Sequence, residues 1–192
     1  MKLLIKIYIR EMNSYDILQI LGALKSVIND KDTKIVLMSN DLTFDFENYE
    51  YYTSIETNIQ KMINYKLDEL EWDIVLPIFR PIIATKNFDT TIKKLYNDNF
   101  ENLDGVLWIN DNIQNDLATF PIIGRNYYKN FGYIYNPVYF KKNFEEEFTE
   151  ILKINKKYYY YDKTTIFKIL PLKLDDDNIY DFRKKINFEI YE

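Results

Sequence analysis

The stretch Leu3-Leu4-Ile5-Lys6-Ile7-Tyr8-Ile9-Arg10 decides how the rest of the chain is read. It is an apolar run of strand length, rich in Leu and Ile, and it reads as a buried strand that Lys6 interrupts. Ser14 can cap a following helix, in which Ile17, Ile20, Leu21, Leu24, Val27 and Ile28 form one apolar stripe at helical spacing. Asn29-Asp30-Lys31-Asp32 is a turn. Lys34–Met38 is a second short buried strand, closed by Ser39-Asn40-Asp41. Buried strand, amphipathic helix and buried strand in succession make the unit of a mostly parallel sheet covered by helices.

The alternation continues. Thr53 and Glu56 have capping-box spacing, and Ile55, Ile59, Met62, Ile63, Leu67 and Leu70 make the next helical stripe. Trp72–Ile78 is a third strand, Phe88, Ile92, Leu95 and Tyr96 mark a third helix, and Val106–Ile109 is a fourth strand. Pro121-Ile122-Ile123 is a short apolar run. Gly124–Phe131 forms a short helix that Gly132 stops. Asn143 can cap a helix carrying Phe144, Phe148, Ile151 and Leu152. Lys157–Tyr161 and Thr165–Leu170 read as strands, the tyrosine run with alternate faces buried and wet. Asp175-Asp176-Asp177 opens a terminal helix reaching Ile186. The expectation is an α/β fold, a mostly parallel central sheet with flanking helices, in one domain over 1–192. Ligands of such sheets bind beyond the carboxyl ends of the strands. That rule points to Arg10, Ser39 to Asp41, Phe79-Arg80 and Asn110-Asp111, whose plainer reading is ordinary polar loop residues.

Composition narrows the chemistry. The chain has 192 residues, 47% of them hydrophobic, with 18 Tyr and 13 Phe, so much of its core is aromatic. No apolar run approaches the ~18 residues of a membrane span. No signal peptide is read at Met1-Lys2-Leu3, so a cytoplasmic location is expected, or the host cytoplasm or virion for a phage-encoded chain. The net charge of −5 argues against nucleic acid as the main partner. There are no Cys and no His, which excludes disulfides, thiolate and imidazole catalysis, and zinc sites built on them. Gly stands only at 22, 105, 124 and 132, so no glycine-rich phosphate loop can form. Lys, Asn, Ile, Tyr and Phe are favoured, as in A/T-rich bacteria and their viruses.

Four stretches carry a resemblance: Asp104-Gly105-Val106-Leu107-Trp108-Ile109-Asn110-Asp111, Phe120-Pro121-Ile122-Ile123-Gly124-Arg125-Asn126-Tyr127-Tyr128, Phe131-Gly132-Tyr133-Ile134-Tyr135-Asn136-Pro137 and Glu147-Phe148-Thr149-Glu150. Their order and spacing resemble small family-2-like glycosyltransferases of phage and bacterial type with the GT-A fold. The N-terminal half matches in layout alone, as far as Trp72-Asp73-Ile74-Val75. The resemblance implies a nucleotide-binding half at 1–111, an acceptor-side half at 112–171 and a tail at 172–192. It places Arg10 and Asp41 at the nucleotide, Asn110 and Asp111 at the donor or acceptor sugar, and Glu147 and Glu145 as acceptor bases. Glu145, Glu146 and Glu147 also suit the positive end of a helix dipole on their own account. Arg125 either holds a phosphate or pairs with Asp104 or Asp111. Tyr127, Tyr128, Tyr133 and Tyr135 either stack on a sugar or pack.

The same resemblance locates two departures. Where the family carries paired aspartates for a divalent cation, this chain reads Ile78-Phe79-Arg80-Pro81. Where it commonly carries a late His, this chain reads Ile166-Phe167-Lys168-Ile169. No metal cofactor is therefore expected. Either Arg80 and Lys168 replace the cation at the diphosphate, or the fold is kept without catalysis. The expectation is a degenerate, non-catalytic glycosyltransferase-like protein serving as a binding or structural component, such as a phage virion or assembly part, with Phe79 plugging the cleft. An active metal-independent transferase with a nucleotide sugar and a glycan acceptor is the alternative. A carbohydrate-binding module is a third.

Overall fold

A computed structural model describes residues 1–9, 14–39, 50–53, 58–79, 82–110, 116–138, 144–162 and 166–169. The strands are β1 Leu3–Ile9, β2 Thr33–Ser39, β3 Glu50–Thr53, β4 Ile74–Ile78, β5 Ile82–Ala84, β6 Val106–Ile109, β7 Pro121–Gly124, β8 Tyr158–Tyr161 and β9 Phe167–Ile169. The helices are α1 Ser14–Val27, α2 Ile59–Asn64, α3 Phe88–Asn99, α4 Arg125–Phe131 and α5 Phe144–Asn155. Among the described residues, seven strands form one sheet in the order β3-β2-β1-β4-β7-β6-β8, and β5 and β9 form a separate pair.

β1 is central because every one of its residues is buried, and it pairs in parallel with β2 (Leu3↔Thr33 to Ile9↔Ser39) and with β4 (Leu3↔Ile74 to Ile7↔Ile78). Its alternating side chains feed two cores. Leu3, Ile5, Ile7 and Ile9 pack with α1 and α3. Leu4 and Tyr8 pack on the other face with α2, α4 and α5. The tyrosine strand β8 follows the same rule: Tyr158 and Tyr160 pack against the second core, Tyr159 and Tyr161 against the first.

The expected mostly parallel α/β sheet is the observed one, with one reversal. β7 runs antiparallel to both β4 and β6. Three boundaries also differ from the sequence reading. Thr53 ends the edge strand β3, and Glu56, its expected capping partner, lies outside the described residues. Asn58 caps α2, its side-chain oxygen accepting from the Gln60 and Lys61 amides, and the helix stops at Asn64. Leu67 and Leu70, read as helical, lie in the turns that follow and remain buried. α4 ends as expected at Gly132, whose φ of 75 is the left-handed cap that glycine adopts without strain. Asn143 and the tail from 170 onward lie outside the described residues. No helix among the described residues is long and apolar enough to cross a membrane.

The amino end of the sheet is closed by polar contacts. Asp89, fully buried on α3, accepts from the amides of Asn29 and Asp30 and from Thr33 Oγ1. Lys93, one turn on, pairs with Asp30 at 3.0 Å. The Asp32 amide and this ammonium hold the Asp30 carboxyl below its ordinary range. The contacts tie the turn between α1 and β2 to α3.

Candidate functional site

β1, β2, β4, β6 and β8 all point the same way, because β6 and β4 are each antiparallel to the β7 between them. Their carboxyl ends, at Ile9, Ser39, Ile78, Ile109 and Tyr161, form one edge, and β7 begins there with Pro121 opposite Trp108. This is the edge where open α/β sheets bind ligands.

The first residue past β4 is Phe79. Its ring lies 6.3 Å from Phe120 in a stacked pair, and 6.0 Å and 5.6 Å from Tyr135 and Phe144 in edge contacts. Tyr135 and Phe144 close the box at 4.8 Å, and Phe120 continues it to Phe167 at 6.1 Å. Four chain segments thus meet on an apolar side chain at the sheet's ligand edge. A ring in this setting gains from edge and stacked geometry as well as burial.

The acidic helix start sits beside this box, because α5 begins with Phe144. Glu145 and Glu147 point to different faces. Glu145 is buried at 8% exposure, and its carbonyl accepts from Thr149 Oγ1 at 2.6 Å. Thr149 Oγ1 in turn accepts from the Ala118 amide at 2.9 Å, which fastens α5 to the segment entering β7. Glu147 is half-buried on the outer side, where Asn136 Nδ2 donates to its Oε1 at 3.3 Å. Glu147 and Asn136 line a small hollow with Tyr127, Phe131, Tyr133, Ile134, Phe148 and Ile151, with about 10 Å³ of free space, room for one water.

Arg125 lies at the other end of the molecule. Its amide donates to the carbonyl of Asp73, at the start of β4. Its Nη1 donates to the carbonyl of Leu70 at 2.8 Å, and its guanidinium lies 4.9 Å from the Trp72 ring centre. The pairing with Asp104 weighed from sequence does not form, since Asp104 binds Lys157. Tyr128 Oη donates to Asp68 at 3.3 Å, and burial with this carboxylate pushes its hydroxyl up to about 12. Asn110 is at the ligand edge, its amide donating to the Tyr161 carbonyl. Arg10, Asp41, Arg80 and Asp111 lie outside the described residues.

Two residues to which sequence reading assigned no role in the site stand under the ligand edge. Lys6 is fully buried, and its ammonium donates to the carbonyl of Ile63 at 2.6 Å and to that of Tyr65, at the end of α2. Burial lowers it from 10.5 to about 7. Gln60, in the first turn of α2, is also fully buried, and neither its side-chain oxygen nor its nitrogen has a hydrogen-bond partner among the described residues. Asn64 closes the layer: its nitrogen donates to the Tyr135 carbonyl and its oxygen accepts from the Ile134 amide, both at 2.7 Å.

With this geometry in place, the molecule can be set beside solved structures. The sequence matches no protein-family model and no curated protein. The fold is matched closely. TarS from S. aureus, in complex with UDP-GlcNAc, superposes with a TM-score of 0.69 at 14% identity, over 98% of this chain and 66% of that one. The mannosyltransferase PcManGT from Pyrobaculum calidifontis, in complex with GDP-Man and Mn²⁺, gives 0.64 at 7% identity, over 99% and 63%. The Drosophila β1,4-galactosyltransferase 7, in complex with manganese, UDP-Gal and xylobiose, gives 0.61 at 11% identity, over 94% and 79%. The chain spans less than two thirds of the TarS and PcManGT chains. It has a GT-A-like fold.

Two of these neighbours carry manganese, so the residues here can be tested for such a site. Among the described residues, no group of three or more acidic side chains is placed to hold a metal ion. The end of β4 offers the Phe79 ring, which supplies no oxygen ligand.

Proposed function

We propose, taking the GT-A-like fold as premise, that this chain binds a nucleotide or nucleotide sugar at the carboxyl edge of β1, β2 and β4 and does not transfer the sugar. The observation that carries this reading is the aromatic box around Phe79. A nucleoside diphosphate leaves as a multiply charged anion, and metal-dependent transfer needs oxygen ligands that hold a cation against it. A phenyl ring packed on Phe120, Tyr135 and Phe144 occupies the strand end where the resemblance puts those ligands. The burial of Glu145 and the engagement of Glu147 by Asn136 Nδ2 support the same reading. Arg10, Asp41 and Arg80 follow β1, β2 and β4 in sequence and are the residues assigned to the nucleotide. Arg125 is assigned to holding the loop that precedes β4.

Calorimetric titration with UDP- and GDP-sugars, with and without Mn²⁺, tests the reading. Metal-independent binding without release of nucleoside diphosphate is expected. Binding that requires Mn²⁺ and is followed by turnover would overturn it. Absence of binding would move the reading to a structural component with a protein partner, such as a virion part.

One observation favours a second reading. The hollow beside Glu147 is walled by Tyr127, Phe131, Tyr133 and Phe148, and a carboxylate with a carboxamide on an aromatic wall suits sugar hydroxyls. In a metal-independent transferase, Glu147 would take the acceptor's proton and Arg80 and Lys168 would face the diphosphate. Nucleoside diphosphate release that is lost in both Glu147→Gln and Arg80→Ala would establish it.

A further inference from the structure

The side chain of Gln60 is fully buried, and both ends of its carboxamide lack a partner among the described residues. Native interiors pair nearly all such groups, and an amide shut away from water without partners is costly. A residue that only filled space here would be better as a Met or Leu.

Its height in the fold is fixed by its neighbours. α2 descends from the ligand edge, since β3 ends there at Thr53 beside Ser39 and β4 begins at the opposite end. Lys6, in the middle of β1, holds the carbonyls of Ile63 and Tyr65 at the foot of α2. Gln60 stands about one turn, ~5 Å, nearer the ligand edge, and two residues along β1 cover a similar rise. That sets Gln60 nearer the ligand edge than the carbonyls Lys6 holds.

We propose that Gln60 reads the base of a nucleotide bound at this edge, a reading that rests on the nucleotide site proposed above. A carboxamide presents one donor and one acceptor side by side. Nucleobases offer the complementary pair, such as an N–H beside a C=O in uracil and guanine, or an amino group beside a ring nitrogen in adenine. In the free chain the amide is covered and, among the described residues, without a partner. In the complex, the base displaces that cover and pairs with both atoms. Binding energy is thereby concentrated on ligands with the matching edge, because a ligand without it leaves the buried amide unpaired.

Gln60→Met tests this, since it keeps the length and removes both polar atoms. Thermal unfolding of the free protein and calorimetry with UDP, GDP, ADP and CDP are run on both proteins. The wild type is expected to prefer one nucleotide, and Gln60→Met is expected to bind it roughly ten- to hundredfold more weakly while melting higher than wild type without ligand. Equal affinity in the two proteins overturns the role of Gln60 and leaves the nucleotide site standing. A lower melting temperature in the free variant also overturns it, because the amide is then already satisfied in the unliganded fold. Failure of the wild type to bind any of the four overturns the nucleotide site itself.

Discussion

Replacing Lys6 by Met should change the pH dependence of stability in a way calculable from the structure. The Lys6 ammonium is fully buried under α2 on two carbonyls, and burial takes it from 10.5 to about 7. In the unfolded chain it titrates near its ordinary value. Between these two values the unfolded state binds more protons than the folded one, so stability rises with pH through that window. The burden of the charge is fully present below about 7, where both states are protonated, and is gone above 10.5. A difference of one bound proton changes stability by about 1.4 kcal/mol for each step of one in pH, so the rise between about pH 7 and about pH 9 is roughly 2 kcal/mol. Lys6→Met removes that rise and leaves every other titration in place. Urea unfolding of both proteins, followed by circular dichroism across this range, should give stability curves that diverge by about 2 kcal/mol in favour of wild type as pH increases. Parallel curves would refute the reasoning and mean that the ammonium is hydrated or paired in the folded state.

Three further perturbations follow from the packing. Asp89→Ala leaves the Asn29 and Asp30 amides and the Thr33 hydroxyl without their acceptor and should cost about 2–4 kcal/mol by urea unfolding, with a smaller loss for Asp30→Ala. Gly124→Ala places a Cβ 2.0 Å from Tyr96 Oη and 2.2 Å from the Leu103 carbonyl, so it should destabilise by more than about 3 kcal/mol or prevent folding, as read by expression and melting. Arg125→Ala strips a donor from the Leu70 carbonyl and a cation from the Trp72 face; the melting temperature should fall, with a loss of about 1–3 kcal/mol, while nucleotide affinity stays unchanged.

The fold was legible where burial and periodicity agree. β1, β2 and β6 are short apolar runs between turn residues, and α1, α3 and α5 carry clean stripes, so their order alone implied a covered, mostly parallel sheet. The reversal of β7 was not legible, because Pro121–Gly124 has no local mark of strand direction. Nor was the short α2: the stripe through Leu67 and Leu70 persists because those turns are buried too, and periodicity records burial before it records helix. At the site, the sequence singled out Phe79, and its ring contacts Phe120, Tyr135 and Phe144. Arg125 could not be placed, since its acceptors come from a loop over fifty residues away in sequence. Gln60 went unmarked, and Lys6 was read only as a break in its strand, for a shared reason. A polar residue in a stripe or strand is read as a solvent-facing gap, and only tertiary packing reveals that the gap is closed.

The box around Phe79 also governs how the chain could be altered. Its rings come from positions 79, 120, 135 and 144, so it joins the strand end of the first half to three segments of the second. An aspartate at 79 would stand against the Phe120, Tyr135 and Phe144 rings, where taking its charge partly out of water carries a cost. Placing a metal ligand there means reworking Phe120, Tyr135 and Phe144 together with Phe79, and Phe120 also contacts Phe167 while Tyr135 contacts Phe148. A series of single replacements would pass through weakened intermediates before any cation could bind. An engineer who wants a metal ligand at the end of β4 would therefore redesign these four positions together.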